Sequence, residues 1–137
     1  MIGLPSNVGR EFLLIPSAMR NDRQNLIVNL TYSFSLSLLE YTDLLDLTRK
    51  FTIARQLIRS GTSIGANVRE AQNAESKIDF IHKLKIAAKE ADETSCWLSL
   101  CKDAPSLPTP PELLFDHLHS ITKILSRIIA TTKSSAG

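Results

Sequence analysis

Three observations predict an all-α fold, an antiparallel up-down-up-down four-helix bundle. Apolar residues recur at alternating steps of three and four from about Asn29 to Thr131. No segment carries the two-residue alternation of a half-buried strand. The one strong helix-breaking segment, Ala104-Pro105-Ser106-Leu107-Pro108-Thr109-Pro110-Pro111, leaves four helical stretches joined by short or moderate connections.

Taken in order, residues 1–25 contain Pro5, Gly9 and Pro16 without sustained periodicity and are expected to form a loosely ordered extension. Met19 within it is a second candidate start. The first helix places Phe34, Leu38, Tyr41 and Leu45 on one face, with Leu47 and Phe51 extending the apolar side. A joint near Arg49-Lys50 separates it from the second, although no glycine or proline marks the place.

The second helix runs through Ala54, Leu57, Gly61, Ile64, Val68, Ala71 and Glu75 at heptad steps. Ser76 followed by Asp79 resembles a capping box and opens the third helix, whose expected core stripe is Ile81, Leu84, Ala88, Ala91, Ser95 and Leu98. Thr109 is the expected cap of the fourth, which buries Leu114, Leu118, Ile121, Leu125 and Ile128 and ends near Thr131. The bundle domain is therefore 26–131, followed by a frayed tail over 132–137.

At 137 residues the chain makes one core, and its 43% hydrophobic and 22% charged residues are ordinary for a globular domain. Five glycines and few aromatics speak against a β-sandwich or barrel. Cys96 and Cys101 lie five apart on a helix and so point about 140° from each other. They read as free thiols in a reducing compartment. No apolar run reaches the ~18–20 residues of a membrane span. The first residues lack the basic start and long apolar run of a signal peptide, so a cytoplasmic location is expected.

Charge is uneven. Between Arg49 and Lys89 nine Lys/Arg stand against three acids, while the rest of the chain has seven against eleven. A basic middle flanked by acidic segments fits an anionic partner, and equally fits charge complementarity within the molecule.

The densest signal is Ser60-Gly61-Thr62-Ser63-Ile64-Gly65-Ala66-Asn67. Gly61-Thr62-Ser63-Ile64-Gly65 matches the G-x-S-x-G of a nucleophile elbow, but that turn needs a strand before it and a sheet holding the oxyanion donors. Here the heptad pattern passes straight through. The run instead marks close helix packing by Gly61, Ser63, Gly65 and Asn67. Two interior glycines cost about 1 kcal/mol each, tolerable where close packing offsets it. Asp79-x-x-His82 and Asp116-x-x-His119 resemble halves of a di-iron site, yet antiparallel helices put them at opposite ends, on the order of 25 Å apart. No catalytic residue, metal, cofactor or small-molecule substrate is expected.

Arg55, Arg59 and Arg69 fall within about 80° on the second helix, and with Lys77, Lys85 and Lys89 they form the candidate nucleic-acid surface. The same ridge fits acids of a neighbouring subunit, or a plain solvated face. On the third helix Ile86 and Trp97 point some 130–150° from the expected core and are the candidate oligomer interface.

The run Gln56-Leu57-Ile58-Arg59-Ser60-Gly61-Thr62-Ser63-Ile64-Gly65-Ala66-Asn67 is followed by Glu70-Ala71-Gln72, Ser76-Lys77, Asp79-Phe80-Ile81-His82-Lys83-Leu84, Ala87, Lys89-Glu90-Ala91, Glu93-Thr94 and Trp97-Leu98. Across about residues 29–130 these resemble the four-helix bundle family named after the 23S rRNA intervening-sequence protein. The resemblance implies a non-enzymatic homopentamer, acting as a scaffold or binding module, with RNA as one implied partner. It also touches a branch of accessory proteins of diversity-generating retroelements, where a basic pentamer binds a reverse transcriptase and RNA. The alternative is therefore a purely protein-binding adaptor without direct nucleic-acid contact. The first 25 residues and the Pro-rich linker depart from the family pattern, and the modest net charge is lower than the retroelement branch implies.

Overall fold

The computed structural model describes residues 22–135, in four helices: α1 (Asp22–Leu47), α2 (Phe51–Gln72), α3 (Lys77–Asp103) and α4 (Glu112–Ser134). Each helix packs against its neighbour in the chain, and α4 closes against α1. The connections are three, four and eight residues long, and the paired contacts Leu38–Gly61 with Thr31–Gly65, and Ser60–Thr94 with Glu70–Lys83, run in opposite directions along adjacent helices. The product is a four-helix bundle. Among the described residues there is no strand.

The joint after α1 works without glycine. The Lys50 N–H donates to the Leu45 carbonyl at 2.8 Å and the Arg49 N–H to the Asp46 carbonyl at 2.9 Å. That paired arrangement is a Schellman motif, and it requires a left-handed residue, here Arg49 with φ 61°. The reversal corrects one expectation. Leu47 and Phe51 do not extend the core face but stand 81% and 43% exposed, because the turn lies between them.

Ser76 caps α3 by accepting the Asp79 N–H at 3.0 Å, while Asp79 accepts the Glu75 N–H at 3.4 Å. The capping box is real, with its return bond one residue early. Glu75 lies beyond α2, exposed rather than in the stripe. Pro111, not Thr109, flanks α4, and no side chain caps it. Proline there costs nothing, since the first helical N–H groups have no partner within the helix. Helix α4 persists to Ser134, past the expected fraying point, and α1 begins at Asp22, inside the expected extension. The rest of that extension, with Met19 and the last two residues, lies outside the described residues.

The α2 and α4 stripes are buried as predicted. On α3 the stripe is Leu84, Ala87, Ala91, Thr94, Leu98 and Cys101, so Ala88 is half-buried and Ser95 exposed. Both patterns share Leu84, Ala91 and Leu98, and spacing alone cannot choose between them. The choice falls to Thr94, which finds a polar partner across the interface. Tyr41 adds a second polar tie: its buried hydroxyl donates to the Pro108 carbonyl at 2.6 Å, pinning the Pro-rich linker over the end of α1.

Candidate binding surfaces

The small-residue run lies wholly within α2 and faces two neighbours. Toward α1, a methyl group at Gly61 would overlap the Leu38 Cδ2, while one at Gly65 would sit 3.3 Å from Thr31 Oγ1. Toward α3, Ser60 is fully buried and its Oγ lies 2.9 Å from the Thr94 Oγ1. Ser63 donates to the Arg59 carbonyl at 2.6 Å, and the Asn67 amide donates to the Ser63 carbonyl at 2.8 Å. Both are half-buried and spend their polar groups on their own helix. A serine so held in mid-helix has neither the exposed turn nor the sheet of a nucleophile elbow.

The basic ridge is divided by its neighbours. Arg59 ion-pairs with Glu90 at 3.4 Å and, more closely, with Glu93 of α3. The same Glu93 oxygen accepts the Trp97 indole N–H at 2.9 Å. Arg69 lies over the Tyr32 ring of α1, 5.8 Å from its centroid. Lys77 donates to the Ser135 carbonyl at 2.6 Å. Arg55 and Lys89 are exposed and make no ion pair among the described residues.

Lys85 stands beside Lys133 of α4, whose hydrogen-bonding proximity and like charge hold the Lys85 ammonium below the usual lysine range. Lys77, Lys85 and Lys133 thus gather where α3 begins and α4 ends. Lys133 escaped the sequence reading. Its signal is only its position in the last turn of a helix antiparallel to α3. Lys83, by contrast, bonds Glu70 at 3.0 Å, and that contact raises its pKa.

Trp97 and Ile86 share a face of α3, but the rotated stripe places them roughly 100° from the core, not 130–150°. Each is half-buried. Trp97 packs against the core and lines a groove of about 480 Å³ with Arg49, Lys50, Phe51, Ile53 and Leu107. Ile86 lines neither.

A second apolar surface was not anticipated. Tyr32, Leu36, Leu39, Leu44 and Leu47 of α1 are 42–81% exposed. The available signal was the spread of Leu36, Leu39, Leu44 and Leu47 round α1, outside the stripe of Phe34, Leu38, Tyr41 and Leu45.

Among the described residues no group of three His, Cys, Asp or Glu side chains could hold a metal ion. His82 and His119 are both exposed. Cys96 is an exposed thiol and Cys101 a buried one, its pKa raised by burial. Among the described residues no helix is long and apolar enough to cross a membrane.

The family model for the 23S rRNA-intervening sequence protein matches residues 23–130. A crystallised protein of unknown function from the S23 ribosomal protein family, from Bacteroides thetaiotaomicron VPI-5482, is 37% identical to this chain. It superposes with a TM-score of 0.74 over 79% of this chain and 98% of its own. Among curated proteins, none matches.

Proposed function

The chain belongs to the family of the 23S rRNA-intervening sequence protein, and from that premise we propose that it is a non-enzymatic, homo-oligomeric binding module. Copies of the bundle join into a ring, a pentamer on the family resemblance, and the ring acts as a scaffold for an anionic partner, RNA. The observation that carries the oligomer is the exposed apolar face of α1, since a monomer gains nothing by leaving such leucines in water. Support for an anionic partner comes from Arg55, Lys89 and the Lys85–Lys133 pair, whose charge no acid neutralises in the ion pairs of the described residues. Few such contacts per protomer bind weakly, and repetition round a ring multiplies them.

The test is light scattering with the 260/280 absorbance ratio recorded across the same peak, followed by an RNA titration. A pentamer mass with RNA affinity that falls steeply with salt is expected. A monomer mass overturns the oligomer, and an absence of affinity even at low salt overturns RNA.

The second reading, a protein-binding adaptor such as a reverse-transcriptase accessory protein, is favoured by one observation. Arg59, the centre of the ridge, is already neutralised by Glu90 and Glu93. That reading predicts salt-insensitive partner capture with no nucleic acid co-purifying.

A further inference from the structure

Between Arg23 and Arg49 the chain contains no lysine or arginine, and its only charges there are Glu40, Asp43 and Asp46. Tyr32, Leu36, Leu39, Asp43 and Leu47 fall within about 80° on α1, opposite the buried Phe34, Leu38, Tyr41 and Leu45. The outer face of α1 is therefore a leucine stripe carrying acid, with Glu40 along its edge. An ordinary bundle helix places mixed charge at these positions.

The groove beside Trp97 has the complementary character. Its apolar lining is Phe51, Ile53, Trp97 and Leu107, and its cationic lining is Arg49 and Lys50. We infer that the α1 stripe of one copy docks in the Trp97 groove of a second copy, with Leu36 and Leu39 entering it and Asp43 and Glu40 meeting Arg49 and Lys50. This deepens the proposed oligomer by naming its two surfaces.

Two arguments select a second copy and this pairing. Stripe and groove lie on one rigid bundle, on different helices facing outward, so a stripe cannot reach its own groove. Packing stripe against stripe about a two-fold axis sets Asp43 against Asp43 when the helices run parallel, and against Leu36 of the other copy when they run antiparallel. The stripe holds no Lys or Arg to pair with it, which disfavours the symmetric dimer either way. A stripe-to-groove contact is head-to-tail, and such contacts propagate until the rotation closes a ring.

The test is complementation, read as mass by light scattering at tens of micromolar protein. Leu36→Glu/Leu39→Glu spoils the stripe and leaves the groove, while Lys50→Glu/Thr52→Glu puts acid in the groove lining and leaves the stripe. Circular dichroism confirms that both variants fold, and Ile78→Glu, at an 81% exposed residue outside both surfaces, controls for added charge. The expected result is a wild-type and Ile78→Glu oligomer, two monomeric variants, and a one-to-one heterodimer on mixing them. The mixture stops at two because only one intact stripe and one intact groove remain.

A wild-type monomer sinks the oligomer reading and this inference together. A wild-type oligomer whose mass survives Leu36→Glu/Leu39→Glu overturns the inference alone. If that variant also becomes cleavable within residues 1–21, the stripe is covered by the chain's own Phe12-Leu13-Leu14-Ile15. A mixture that stays monomeric overturns the pairing.

Discussion

Ser60 of α2 and Thr94 of α3 hydrogen-bond through their hydroxyls at 2.9 Å, both fully excluded from water. Ser60 donates its own proton to the Gln56 carbonyl at 3.0 Å and accepts from Thr94, whose single proton is shared between Ser60 and the Glu90 carbonyl at 2.7 Å. The pair turns two polar residues into core and sets which face of α3 meets α2. Thr94→Val should cost on the order of 1 kcal/mol, as should Ser60→Ala, with the double variant costing less than their sum. Urea denaturation of the four proteins measures the coupling, and strict additivity would show that the bond contributes nothing.

Tyr41 makes the second buried polar tie, to Pro108. Tyr41→Phe should lower stability by about 1–2 kcal/mol and speed proteolysis within the Pro-rich linker. Burial, with the neighbouring Cys101, raises the Tyr41 pKa well above the ordinary 10.0. The folded state therefore holds this proton more tightly than the unfolded chain. Its contribution is fully present below the unfolded pKa and is lost as pH rises past it toward the folded one. Wild-type stability should fall above pH 10 by more than that of Tyr41→Phe, as pH-dependent melting would record.

Arg49 occupies a left-handed conformation that glycine adopts without steric cost. Arg49→Gly should raise stability by about 1 kcal/mol, since the Schellman bonds use only backbone atoms. A lower melting temperature would mean that the arginine side chain contributes more than its backbone costs.

The two glycines of α2 should behave differently. Alanine at either gains about 1 kcal/mol of helix propensity. At Gly61 the added methyl overlaps the tip of the fully buried Leu38, and overpacking of about 1–3 kcal/mol outweighs the gain. At Gly65 the nearest atom is 3.3 Å away, close enough for a small shift of Thr31 to absorb. Gly61→Ala should therefore destabilise while Gly65→Ala stays near neutral in chemical denaturation.

Much of the bundle was legible in the chain because helical period and proline position are local properties. The α2 and α4 stripes, the Ser76 cap, the joint at Arg49-Lys50 and the helical character of the Gly61–Gly65 run all follow from residues within a turn or two of one another. The family too is carried by contiguous residues, from Gln56 to Leu98. What the tertiary structure alone decided concerns contacts between helices far apart in sequence. Thr94 rather than Ser95 enters the core because Ser60 stands opposite. Arg59 loses its freedom to two glutamates 31 and 34 residues on, and Lys133 arrives beside Lys85 only once α4 has folded back. A side chain's angle on its own helix can be counted from sequence. Which partner fills the space in front of it depends on how neighbouring helices pack, and close packing leaves room for one answer.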